Sequence, residues 1–342
     1  MTGVKTTVMA LALASILWSP SAARAIDDGA MAVFDAVIDA APAGYRQLDE
    51  PDDDPLEARQ EQLEARLAED DNRDTRLALV RVLRDRGKAK KGLKLLSPLL
   101  EAAPNDEALQ QVRNDLMVTW VRNAGVFGKM RAGGRFKEAC EADLARDPEN
   151  GTALLCLARY YENAPAVAGG SQDQARALLD RLETADPHGY WMMRAELLGD
   201  RDIDARSAAY AKAIAARPDR QAMLFAAKWH IKQGVFGDAF TYLARVLDQQ
   251  PDNRMALYQL GRTAARSGDR LAAGEAALLR FLAGPTRLRG DDYRARAHAY
   301  LGYIYGRQGD VGAAKRAFDR ALALDDKLAI AAEGRARLAR QG

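Results

Sequence analysis

The chain has 342 residues, 48% hydrophobic and 7% aromatic, with 50 Lys and Arg against 48 Asp and Glu. That length holds two ordinary domains or one extended array, and a net charge of +2 excludes the basic balance of a nucleic-acid-binding surface. A mixture rich in alanine, leucine and arginine with only 12 prolines favours helix over strand.

The first residues read as a leader. Lys5 precedes an apolar run at 8–18, Ser19, Pro20 and Ser21 break it, and Ala23-Arg24-Ala25 has the small-x-small form of a cleavage site. This pattern predicts a signal peptide over 1–25, cut after Ala25. The apolar run is shorter than the ~20 residues a membrane span needs. No cysteine follows the cut to carry a lipid. Loss of Lys5 and Arg24 leaves a neutral mature chain, expected to be periplasmic or secreted and without a membrane span. Residues 26–72 then hold a helix with Met31, Phe34, Val37 and Ile38 at helical spacing, an acidic, proline-flanked linker at 49–55, and a leading helix.

From residue 73 the chain repeats itself. Helix-like runs end at Pro104, Pro148, Pro187, Pro218, Pro251 and Pro285, at intervals of 44, 39, 31, 33 and 34 residues. Residues 254–287 carry Leu257, Leu260-Gly261, a Ser267-Gly268-Asp269 turn and Ala273. Residues 295–328 carry Leu301-Gly302, Tyr305, Gly309-Asp310, Ala314, Phe318 and Ala321, with Asp326 in the proline's place. Gly234, Phe236, Ala239 and Pro251 keep the register in 220–253, as do Leu79, Leu83, Gly87, Leu96 and Pro104 in 73–106. Small residues let paired helices approach, glycine followed by aspartate ends one helix and caps the next, and proline prevents continuation.

This pattern resembles the tetratricopeptide repeat (TPR) family. The resemblance implies an all-α, right-handed superhelical solenoid of antiparallel helix hairpins. About seven repeats are expected, at 73–106, 107–150 (degenerate), 151–187, 188–218, 219–253, 254–287 and 295–328, with a cap helix at 329–342. Three stretches depart from it. Residues 107–131 exceed one first helix and form either a longer helix or one broken near Gly125 and Gly128. Residues 163–171 enlarge a turn within a hairpin, and 286–294 enlarge a connection between hairpins.

No constellation for catalysis is visible. His188 in a turn, His230 at a helix end and His298 on a first helix share no metal-ligand spacing, and neither H-E-x-x-H, G-x-S-x-G nor a P-loop occurs. The expectation is no enzyme, no cofactor and no metal, with a loop-borne site in 163–171 or 107–131 as a remote alternative. Cys140 and Cys156 lie eight residues on either side of Pro148, so in a hairpin they stand at the same height. A disulfide in an oxidising compartment and two buried thiols both remain open.

The resemblance also implies that first helices line a concave face where an extended or helical peptide binds. Aligned on the glycine turns, one recurring position of the first helices reads Arg81, Arg159, Lys228, Arg262 and Tyr303. Neighbouring positions hold Tyr258, Arg266, Arg296, Tyr300 and Arg307. Arginine forks suit carboxylates and tyrosines give rigid contact area, so the expected partner is a protein or peptide with an acidic or C-terminal carboxylate segment. The asparagines of the family's carboxylate clamp are absent. The resulting reading is a periplasmic adaptor in cell-envelope assembly. The alternative is an accessory of transport, secretion or cytochrome maturation that holds a carboxylated ligand.

Overall fold

The computed structural model describes residues 28–41, 55–284 and 293–340. The signal peptide, most of the acidic linker and most of the 286–294 connection lie outside the described residues. Within them are 17 α-helices and no strand.

Seven consecutive hairpins form the body. They are α3 (Arg73–Asp85) with α4 (Ala89–Ala102), α5 (Glu107–Asn123) with α6 (Val126–Arg146), α7 (Gly151–Asn163) with α8 (Gln172–Ala185), and α9 (Pro187–Leu198) with α10 (Ile203–Ala216). Then come α11 (Arg220–Gln233) with α12 (Phe236–Gln249), α13 (Arg254–Ser267) with α14 (Leu271–Ala283), and α15 (Arg294–Gln308) with α16 (Val311–Leu324). Ahead of them stand α1 (Asp28–Asp39) and α2 (Pro55–Glu69), and α17 (Ala329–Ala339) closes the array.

Local chemistry places the helix ends. Asn150, Asp219 and Asn253, each just after a proline break, accept the backbone N–H three residues on, at 2.7, 3.0 and 3.0 Å, the usual N-cap bond. Gly309 takes a left-handed φ of 85° to end α15, and Asp310 caps α16 by accepting from the Ala313 N–H at 2.8 Å. The equivalent Gly268-Asp269 turn departs from the expected capping. Asp269 caps nothing there, and Arg270 precedes α14 with φ 52°, the one non-glycine residue with positive φ among those described.

Each helix packs on its hairpin partner and on the next hairpin. Successive first helices (α11 on α13, α13 on α15, α15 on α17) also touch, while successive second helices make no comparable approach. The array therefore curves with its first helices inside. From α9 onward the core is one continuous seam, whereas the first half breaks into separate clusters around Leu83, Leu116, Leu154 and Cys140. This is a TPR-like solenoid, stabilised neighbour by neighbour.

Among the local readings, the break near Gly125 is borne out and the placement of His188 in a turn is corrected. The break in the 107–131 stretch falls at Ala124-Gly125, and Gly128 lies inside α6, whose 21 residues make it the longest helix of those described. His188 is in the buried first turn of α9, because Pro187 starts that helix at once. Finally, α1 packs across α12 and α14 on the outer side of the curve, burying Ala30, Phe34 and Val37, far along the chain from its sequence neighbour α2.

Candidate functional site: a basic, aromatic groove on the inner face

An open groove of about 740 Å³ runs along the inner face of α13, α15 and α17. Arg262 and Arg266 enter it from α13, Tyr300, Tyr303 and Arg307 from α15, and Arg337 from α17. The same residues fix one another. Tyr303 donates its hydroxyl to the Ile330 carbonyl at 2.9 Å and stands edge-on to Phe318 at 5.2 Å. Arg266 donates to the Ile231 carbonyl at 2.6 Å and lies over the Phe236 ring. Arg307 reaches the Arg266 carbonyl at 3.4 Å. Arg262 donates Nη1 to Gln259 at 3.2 Å, while its buried Nε–H meets no acceptor.

None of these four arginines pairs with a carboxylate among the described residues, whereas other arginines of the array do form ion pairs across hairpins, such as Arg73–Asp106 and Arg84–Asp115. Burial raises the Tyr303 hydroxyl above its usual range, and Glu333 adds to the effect. Tyr303 is therefore a neutral donor at physiological pH. The site offers planar cations on a rigid aromatic wall, an arrangement that favours an anion with an apolar or aromatic neighbour.

Other expected site residues fall elsewhere. Tyr258 is corrected outright. It is 2% exposed and packs against Phe281, Tyr293 and Tyr300 with centroids 5.4, 4.8 and 5.9 Å away, so it belongs to the core and burial drives its pKa strongly up. The reason is Tyr293, which the enlarged connection delivers onto it. Arg159 pairs with Glu196 at 2.7 Å and borders a different groove in the first half of the array. Arg81, Lys228 and Arg296 are exposed on α3, α11 and α15 and do not line the groove.

Sequence reasoning missed Phe236 and Arg337. Arg337 lies 34 residues beyond Tyr303, so extending the repeat period into the last helix would have found it.

A disulfide joins Cys140 on α6 to Cys156 on α7, Cα atoms 6.2 Å apart. All three histidines are buried. His230 is fully buried, with Nδ1 on the Ala226 carbonyl at 2.7 Å, which makes that nitrogen the donor. Its Nε2 faces both Ser207 at 3.0 Å and Asp238 at 3.5 Å. Serine and aspartate thus crowd one nitrogen, whereas a nucleophile relay needs them on opposite ones. Among the described residues no His, Cys, Asp and Glu group could hold a metal ion, and no helix is long and apolar enough to cross a membrane.

No protein-family model matches the chain, and no curated protein matches it. Among solved structures it is similar to a chain of the APC/C hetero-tetramer Cut9–Hcn1, at 19% identity and a TM-score of 0.52, over 85% of this chain and 54% of that one. The chain thus spans about half the length of that relative. It is also similar to PilW, a widely conserved type IV pilus biogenesis factor, at 20% identity and a TM-score of 0.45, over 65% of this chain and 96% of that one. A third likeness is to the C-terminal part of a TPR repeat-containing protein from Cytophaga hutchinsonii, at 15% identity and a TM-score of 0.43, over 75% and 97%. The Cut9–Hcn1 likeness shows a TPR-like fold.

Proposed function

We propose that this chain is a scaffold of the bacterial cell envelope that binds an acidic or C-terminal carboxylate segment of a protein partner in the groove of α13, α15 and α17. The observation that carries this reading is the gathering of Arg262, Arg266, Arg307 and Arg337 around Tyr300 and Tyr303, none of them in an ion pair with a carboxylate among the described residues. An array with its first helices on the inside of a curve presents such a groove along its length, and a TPR-like fold supplies rigid spacing for an extended ligand. The leader-like residues 1–25 and the Cys140–Cys156 bridge support an oxidising, exported location.

The test is fluorescence anisotropy with a labelled peptide ending in Asp-Glu and a free carboxylate, against its amidated lysine counterpart. Tight binding of the first, weakened about tenfold or more by Arg266→Glu with Arg307→Glu and by added salt, supports the reading. Equal binding of both peptides, or indifference to the double variant at unchanged helicity, overturns it. Competition by a small dicarboxylate would transfer the groove to a solute-binding accessory role.

A further inference from the structure

The two departures from the repeat pattern in the first half of the chain meet in space. The long α6 and the 164–171 turn enclose, with α5 and α7, a second groove of about 800 Å³. Its lining is mainly apolar, with Val118, Met130, Phe136, Leu155, Tyr160 and Val167 contributing. Val118, Met130 and Val167 are 44%, 59% and 92% exposed, and Phe127, three residues before Met130 on α6, is 89% exposed. Val167, Phe127 and Met130 are the three most exposed large apolar residues among those described, two of them line this groove, and exposed apolar surface gathered in a groove marks a binding surface.

The walls are built to stay open. The Cys140–Cys156 bridge ties α6 to α7. Tyr160 donates its hydroxyl to the Ala168 carbonyl at 2.6 Å, and the Ser171 N–H bonds the Tyr161 carbonyl at 2.9 Å, so Val167 is held at the rim. The amides that border the groove are already committed. Asn163 donates to the Arg159 carbonyl at 2.9 Å, Gln111 to Asp115 at 3.2 Å, and Asn114 accepts from Arg113. An extended peptide would find few partners for its backbone here, whereas a helix brings its backbone bonds with it.

Charge narrows the choice further. From residue 116 to 137 there is no Asp or Glu, while Arg122, Lys129, Arg131, Arg135 and Lys137 fall within that stretch. Arg122 and Lys129 border the groove and pair with no carboxylate among the described residues. The chain itself shows how such a helix is held elsewhere. In α1, whose only charged residues are aspartates, Phe34 is pressed onto two helices with the Arg270 guanidinium 5.5 Å above its ring.

We infer that the groove between α5 and α7 is a second partner site, which receives an amphipathic helix of a protein partner with large apolar residues on one face and carboxylates on the other. The apolar face fills the space between Val118, Met130 and Val167, and the carboxylates meet Arg122 and Lys129. The site differs in chemistry and location from the basic groove of the last repeats and does not depend on it.

The probe is a labelled synthetic helix of about 18 residues, with leucine and phenylalanine on one face and glutamate on the other and a photo-crosslinker at its centre. A lysine-for-glutamate twin is the control. The glutamate helix should bind and the lysine twin should not, with cross-links in 115–168. Val118→Asp with Met130→Asp should weaken binding about tenfold or more, and Arg122→Glu with Lys129→Glu should weaken it several-fold. Both pairs are substantially exposed, so far-UV circular dichroism and melting temperature should not change. Arg266→Glu with Arg307→Glu should leave this binding intact. If that last variant abolishes it, or the cross-links fall in 231–307, the helix sits in the basic groove and the inference fails while the proposed function stands. Equal binding of the lysine twin also overturns it. So does binding to phosphatidylglycerol vesicles that Phe127→Ser removes, with none to the helix, because the patch is then a membrane-surface contact.

Discussion

The ring of Phe34 stands edge-on to that of Phe240, centroids 5.9 Å apart at 72°, and joins residues 206 positions apart in the chain. Above both rings lies the Arg270 guanidinium, 5.5 Å from one and 5.7 Å from the other. A solenoid is ordinarily held by nearest neighbours alone. Here α1 packs on both α12 and α14, second helices of successive hairpins that make little contact with each other. Phe34 is 1% exposed, so Phe34→Ala should cost about 3 kcal/mol. Urea unfolding measures the loss, and hydrogen exchange should locate it in α12 and α14 while repeats 73–150 keep their protection.

Arg270 reaches those rings from a backbone conformation that costs a side-chain-bearing residue about 1 kcal/mol. The strain is offset by its contacts with the two rings. Arg270→Gly should therefore stabilise the Phe34→Ala variant by about 1 kcal/mol and the parent protein by less. Equal effects in the two backgrounds, read from a double-mutant cycle, would show that the arginine is not engaged by α1.

Close approach, rather than turn formation, explains the glycines of the Leu-Gly pairs. A Cβ at Gly261 would lie 2.2 Å from Leu278, and one at Gly302 2.7 Å from Phe318. Both neighbours are buried to 1% exposure or less and have no room to retreat. Gly261→Ala and Gly302→Ala should each destabilise by about 1–3 kcal/mol. Gly134, mid-helix with nothing within 4 Å of its Cβ position, gives the opposite sign, since Gly134→Ala should stabilise by about 0.5–1 kcal/mol. Thermal melts of the three variants check the contrast.

The Cys140–Cys156 bridge closes a loop of 16 residues. Replacing both cysteines with serine should lower stability by about 3 kcal/mol. A reducing agent should lower the parent's unfolding midpoint and leave the double variant's unchanged.

Acid should weaken the array at its caps. The Asp106 carboxyl accepts the Leu109 N–H at 3.1 Å and an Arg73 N–H at 2.7 Å, and chiefly the first of these holds its pKa below the ordinary value. The unfolded chain takes up this proton more readily than the folded one. The cap's contribution is therefore complete above the unfolded value near 4, and it is lost as pH falls through the lower folded value. Melting temperature should drop as pH falls below about 4, and Asp106→Asn, which keeps a capping oxygen, should flatten part of that slope.

The hairpin array was legible in the sequence because its signals are local. A proline cannot continue a helix, Asn150 or Asp219 caps the next one within three residues, and Gly302 admits its partner helix at a fixed place in the period. Position within the period also placed Arg262, Arg266, Tyr300, Tyr303 and Arg307 on one face, and the structure brings them into one groove. Tyr258 was misplaced by the same reasoning, since helical phase specifies a direction but not what lies in that direction. Only the tertiary structure shows Tyr293 closing over it. Nothing local pairs Phe34 with Phe240, or brings the 164–171 turn beside Met130. Those contacts depend on the accumulated curvature of the stack and on which apolar faces remain uncovered once every hairpin has been placed.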